Sequence, residues 1–152
     1  QMGQRGPRGL HLVQRNLHHR MAVLDQHGHR LTERRRKIAI QILEITALYK
    51  VAFNRLPDPD GLAYWLNDMA NGQTLHQVAN SFAVHLPQFG TGNINTIINQ
   101  FSNNAFGHNA SVDVLNHWGN MAYMAVPSFA LVEQMALQLV GQPIDNWGSP
   151  VV

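Results

Sequence analysis

Shifted by 53 positions, the later two-thirds of this 152-residue chain comes into register with itself. Ile45 falls on Ile98, Ala52-Phe53 on Ala105-Phe106, Asp60 on Asp113 and Leu62 on Leu115. Trp65 falls on Trp118, Asn67 on Asn120, Ala83 on Ala136 and Leu86 on Leu139. These are nine identities in the 42 positions from 45 to 86, where unrelated stretches of ordinary composition share about two or three. Other apolar positions stay apolar, as in Leu48/Phe101, Val78/Leu131 and Phe82/Met135. A repeat this short limits the fold sharply. One copy is too small to bury its apolar face well, so two copies are expected to pack together.

Each copy reads as three helices. In the first, Ile38, Ile42, Ile45, Leu48, Tyr49, Ala52, Phe53 and Leu56 recur at helical spacing. Thr32 is the expected N-cap and Pro57 the stop. Asp58-Pro59-Asp60 then supplies a cap, a first-turn proline and an acid that complements the helix dipole. Leu62, Trp65, Leu66 and Met69 share the next face, and Asn71-Gly72 ends it. Thr74, with Gln77 at capping-box spacing, opens a third helix carrying Leu75, Val78, Ala79, Phe82, Ala83 and Leu86. The second copy predicts helices over about 94–106, 112–122 and 128–140, with Gly141 as the stop. The expected fold is all-α: about six helices as two tandem three-helix repeats, preceded by a disordered basic arm. The boundaries are an arm over 1–37, a helical domain over 38–141 (repeats about 38–88 and 93–141) and a C-terminal tail over 142–152.

Charge separates the arm from the body. Residues 1–37 hold nine of the eleven Lys and Arg, two acids and no Phe, Tyr or Trp. Residues 38–152 hold only Lys50 and Arg55 against seven acids. A segment so poor in core residues is expected to stay mobile, because burial cannot offset its ordering entropy. The run Arg34-Arg35-Arg36-Lys37 suits a polyanion, yet the arm lacks aromatics for base stacking, which disfavours nucleic acid as a partner. His18-His19, His27 and His29, with Asp25, resemble metal ligands only in type. A mobile arm does not hold the geometry a zinc site needs. No cysteine is present, which excludes disulfides and thiol chemistry. No apolar run is long enough to span a membrane.

The run Pro57-Asp58-Pro59-Asp60-Gly61-Leu62-Ala63-Tyr64-Trp65, with Leu48-Tyr49 and Asn54-Arg55 before it and Gly72 and Val78-Ala79 after it, resembles the bacterial domain of unknown function 4214. The likeness covers about residues 43–86 well and 96–139 loosely. Asn54 stands where that family usually has glycine. The second copy departs further, with His108, Ala110, Val114 and His117. The resemblance implies a helical domain, distantly like a phycobilisome linker domain. It also implies a place in exported bacterial proteins, S-layer-like or with haemolysin-type repeats, or beside glycosyltransferases. It implies no catalytic residues.

The residues themselves offer little chemistry. Placing Gly61 at the sixth position of a calcium loop puts Leu56 and Asn67 where acids are needed, so an EF-hand is rejected. Asp58 and Asp60 share one tight turn and do not face each other across a cleft, as a glycosidase pair must. No nucleophile elbow, zinc-protease motif or P-loop is present. No catalytic residue, metal or cofactor is therefore expected. Trp65 and Trp118 lie on apolar faces and are expected to be core anchors that pin the two copies together, with Trp65→Ala costing about 3–5 kcal/mol. Short polar groups beside an exposed aromatic suit sugar hydroxyls. That makes Asp60, Tyr64, Asn67, Asp113, His117 and Asn120 the candidate ligand-binding residues.

These readings converge on a non-catalytic helical module of an exported bacterial surface or extracellular protein. It would attach to cell-surface polysaccharide or to neighbouring protein domains. The alternative is an accessory domain of a glycosyltransferase or other sugar-modifying enzyme. A cell-surface or extracellular location is an expectation of the resemblance, since no signal peptide is visible in the sequence.

Overall fold

The computed structural model describes residues 12–148, with side chains from Thr32 onward. Among these residues lie six α-helices: α1 (Leu12–Phe53), α2 (Pro59–Ala70), α3 (Leu75–Ser81), α4 (Ile94–Phe106), α5 (Val112–Tyr123) and α6 (Ser128–Val140). No strand occurs among them. The chain forms two units, residues 1–39 and residues 40–152.

In the first unit the described residues are helical, where the sequence predicts a disordered arm. Thr32 is accordingly not a cap; it lies well inside α1. The reason is that lack of a core forbids burial but not helix formation. No proline occurs between Pro7 and Pro57, and the stretch is rich in Leu, Gln, Arg and Lys, all good helix formers. Gly28 is the one glycine in α1, at a cost of about 1 kcal/mol. Residues 1–11 of the expected arm lie outside the described residues.

In the second unit the core begins at Ile45. Ile45, Leu48, Val51 and Ala47 are fully buried, whereas Ile42 and Leu56, expected on the same face, stay exposed. The α1 helix ends with Asn54 in the left-handed region, φ 53°. The Asn54 amide donates to the Lys50 carbonyl at 2.9 Å. Asparagine tolerates this left-handed backbone better than most residues other than glycine.

The next two helices start as their caps predict. The Asp58 carboxylate accepts from the Gly61 amide at 3.1 Å, Pro59 takes the first helical position, and Gly72 follows the helix at φ 104°. Thr74 and Gln77 close a reciprocal capping box. The α3 helix stops at Ser81, short of the expected Leu86, and a 3-10 turn over Ala83–His85 follows. Pro87 forces Leu86 into an extended conformation, ψ 148°, so the helix must unwind before it.

The later helices keep the same spacing. Pro59 and Val112 open α2 and α5, 53 positions apart, and Ala70 and Tyr123 close them, again 53 apart. Leu75 and Ser128 open α3 and α6 at that interval. Positive φ recurs with it, at Asn54 and Gly107 and at Gly72 and Ala125.

The third helices, α3 and α6, pack on each other, and α6 also packs on α4. His76 on α3 meets Glu133 on α6 at 2.6 Å and lies edge-on to Phe129, centroids 5.2 Å apart. Between α1 and α4 the Asn104 side-chain amide donates to the Val51 carbonyl at 2.9 Å. After a 3-10 turn over Ile144–Asn146, Trp147 enters the core and its indole N–H donates to the Leu139 carbonyl at 2.9 Å.

Candidate functional site

Two clefts on the second unit share one plan. The first is lined by Tyr49, Phe53 and Arg55 at the end of α1, Tyr64 and Trp65 on α2, and Ser81, Phe82 and His85 beyond α3. The second is lined by Ser102, Phe106 and His108 around the end of α4, Trp118 on α5, and Gln134, Met135 and Gln138 on α6, with Ala110, Ser111, Val114 and Gln142. Seven of the eight positions of the first cleft recur in the second at a spacing of 53. Only Tyr64 has no counterpart there, since His117 is not among the lining residues.

The first cleft is an aromatic box. Tyr49 and Phe82 meet edge to face at 5.3 Å, and Trp65 and Phe82 lie 5.5 Å apart. The Trp65 indole N–H donates to the Tyr49 hydroxyl at 3.0 Å. This bond fixes the indole plane and satisfies a half-buried donor. The Arg55 guanidinium lies over Tyr49 at 5.2 Å and over Phe53 at 5.7 Å. Such distances are within the range of cation–π attraction. Tyr64, 59% exposed, stands edge-on to Trp65 at 4.9 Å.

Gly61 holds this box together from behind. A Cβ there would lie 2.9 Å from both the Tyr49 hydroxyl and the Asp58 carboxylate. Gly61→Ala should therefore push the hydroxyl away from Trp65 and loosen the cap. Its expected cost is about 1–3 kcal/mol, read from urea unfolding, with a shift in tryptophan emission. A variant as stable as wild type, with unchanged emission, would show that the approach is not tight.

The second cleft keeps the indole and changes the rest. His108 replaces Arg55, Ser102 replaces Tyr49, and Gln138 replaces His85. The buried Ser102 hydroxyl donates to the His108 carbonyl at 2.8 Å. No acid lines either cleft, although residues 38–152 carry seven.

Between α1 and α4 sits Lys50, which the sequence reading treats only as one of two cations. Its side chain is fully buried. The ammonium donates to the Asn54 side-chain oxygen and to the Asn104 carbonyl, each at 2.5 Å. Burial pushes its pKa below the usual lysine value.

Of the six residues expected to bind ligand, only Tyr64 lines a cleft. Asp60, Asn67, Asp113, His117 and Asn120 are exposed on α2 and α5 outside both linings. Arg55, Ser81 and His85 are the polar residues that the reading missed in the first cleft. They come from elements other than α2, so spacing along one helix could not reveal them. The two indoles are half-buried and pack against the core. Trp65 contacts Tyr49 and Phe82, and Trp118 lies edge-on to His117; packing of α3 on α6 and the Asn104 bonds join the two stretches. The Asp58 carboxylate is engaged by the Gly61 amide. Among the described residues no group of three His, Cys, Asp or Glu side chains could hold a metal ion. The side chains of His18, His19, Asp25, His27 and His29 lie outside them. Nor is any described helix long and apolar enough to cross a membrane.

No curated protein and no solved structure matches the chain. The stretch that builds α2, α3 and all of the first cleft but His85, residues 45–84, matches the model of the family described as Domain of unknown function (DUF4214).

Proposed function

We propose that the protein is a non-catalytic helical module of an exported bacterial surface or extracellular protein, built from two tandem three-helix repeats. It attaches to cell-surface polysaccharide, with one sugar unit seated in each cleft. The observation that carries this reading is the recurrence of one cleft plan at a spacing of 53. Each cleft offers an indole face for the apolar side of a sugar ring and hydroxyl, amide or imidazole groups for its hydroxyls. A polymer with a repeating unit suits two like sites on one rigid body, because the second contact is then intramolecular.

The tandem-repeat part of the reading has its own support. Helix starts and positive-φ residues recur at the same interval. Moreover, Val51 touches Asn104, and His76 touches Phe129, each pair 53 apart. Positions that meet their own equivalents are what a two-fold arrangement of like units produces near its axis.

Titration of the full chain with purified bacterial surface polysaccharide, followed by calorimetry and tryptophan emission, tests the reading. Saturable binding with an emission shift is expected, and a Tyr64→Ala variant should bind the first site several-fold more weakly. Absence of heat and of any emission change would overturn it. So would recovery of the protein wholly in the cytosolic fraction of its host.

A further inference from the structure

The two clefts share a plan but not a charge. Residues 38–152 contain only two Lys or Arg residues. Lys50 is buried and its ammonium is engaged by Asn54 and Asn104. Arg55 is exposed, and it sits in the first cleft. One guanidinium nitrogen donates to the adjacent Leu56 carbonyl at 3.2 Å, and the Tyr49 and Phe53 rings, edge to face with each other, lie 5.2 and 5.7 Å from the guanidinium carbon. No carboxylate pairs with it among the described residues. Arg55 thus places a cation over an aromatic floor, in a body that is otherwise net acidic, within a cleft that has no acidic lining. A planar guanidinium held this way is suited to a carboxylate, which it can engage through two parallel hydrogen bonds. In the second cleft the corresponding residue is His108, and the other polar side chains are Ser102, Ser111, Gln134, Gln138 and Gln142. Those groups suit hydroxyls and provide no permanent charge.

We propose that the first cleft is selective for a carboxylate-bearing sugar, a uronic acid unit, through Arg55 above the Tyr49 and Phe53 rings, and that the second takes a neutral sugar. The proposal rests on the polysaccharide reading above and gives it a substrate class. It also gives the module a direction. A polymer that carries both acidic and neutral units can engage both clefts, and one that carries only neutral units engages one.

The test uses the full chain, a galacturonic acid trisaccharide, the matching neutral galactose trisaccharide, and acetate as a bare carboxylate. By calorimetry the acidic trisaccharide should bind one site, at least about tenfold more tightly than acetate. Added salt should weaken it, whereas neutral binding should not respond to salt. Arg55→Gln should lower acidic affinity about tenfold, the size expected for a lost charge-assisted hydrogen bond. Arg55→Lys should retain part of it. His108→Arg should raise the number of acidic sites per chain from one to two. Circular dichroism of each variant separates a lost contact from a lost fold. Equal affinity of the native chain for acidic and neutral trisaccharides would overturn this inference and leave the polysaccharide reading intact. Binding of neither would remove both. Acetate binding as tightly as the acidic trisaccharide would reduce the cleft to an anion site, and unchanged acidic affinity in Arg55→Gln would remove the assigned role of Arg55.

Discussion

Trp147→Ala should lower the stability of the protein by about 3–5 kcal/mol, the range for removing a large buried aromatic. Trp147 is 9% exposed and belongs to the main apolar cluster. Its indole N–H satisfies the Leu139 carbonyl near the end of α6, where the last carbonyls lack partners within the helix. Deleting the side chain opens a cavity and removes one donor from that carbonyl, which keeps the Gln142 amide at 2.9 Å. The next residue adds to the effect. The Gly148 amide donates to the Ala105 carbonyl at 2.7 Å, and a Cβ on Gly148 would lie 2.8 Å from the Gly107 nitrogen. The chain therefore runs directly against the end of α4, and losing Trp147 should release this contact as well. Trp147→Phe keeps most of the apolar volume and removes the hydrogen bond, for a cost of about 1 kcal/mol. Urea unfolding of both variants checks the pair. A loss below about 1 kcal/mol for the alanine variant would mean that the C-terminal turn is not part of the cooperative core.

Helix starts are governed by local chemistry, and Asp58 and Thr74 each cap the helix that their position predicts. Helix spacing in the body was legible for the same reason. The course of α1 was less so, because the expectation of disorder rested on tertiary burial. A different signal was present: Leu17, Leu24, Leu31, Ile38 and Ile45 recur every seven residues, a helical period that needs no core to be read. Trp147 was missed because one aromatic after Pro143 carries no periodicity. Its burial depends on where the ends of α4 and α6 happen to lie.

The clefts were legible in part. Tyr64 and Trp65 stand in the motif, and Arg55 precedes it by two residues. What joins them to Ser81, Phe82 and His85 is packing of three elements, which no spacing along one helix encodes. The internal repeat held the missing information. Seven cleft positions recur at its interval, but most changed identity: Tyr49 to Ser102, Arg55 to His108, Phe82 to Met135 and His85 to Gln138. Identity counting favours the positions that pack, Ile45, Ala52 and Leu86 among them, and passes over positions that have diverged in chemistry. A site that differs between copies is hidden by the same comparison that reveals the copies.

Lys50 provides the other large expected effect, and its size depends on what replaces it. Lys50→Ala should cost about 2–4 kcal/mol. It opens a cavity where the four-carbon stem lay and strips the donor from the Asn104 carbonyl, worth about 1–3 kcal/mol when left unpaired, while the exposed Asn54 side chain can turn to water. Lys50→Met fills the space and removes a charge that burial penalises, but it too leaves the Asn104 carbonyl without its donor, so it should cost less than Lys50→Ala and still about 1–3 kcal/mol at neutral pH relative to the native protein. The two should then diverge with pH. Burial lowers the Lys50 pKa in the folded protein, while the unfolded chain keeps the ordinary value of 10.5. Between those two values the unfolded state binds more protons, so native stability rises with pH. Below the folded value both states are protonated, and the penalty is constant. The methionine variant lacks this group and should show no such rise. The native protein should therefore gain on it as pH approaches 10.5 from below. Comparing the two removes the contribution of tyrosines, which titrate in both. Urea midpoints measured for the pair from neutral to alkaline pH decide the matter: parallel profiles would mean that the Lys50 ammonium is as well solvated folded as unfolded, and that its place between α1 and α4 carries no electrostatic cost.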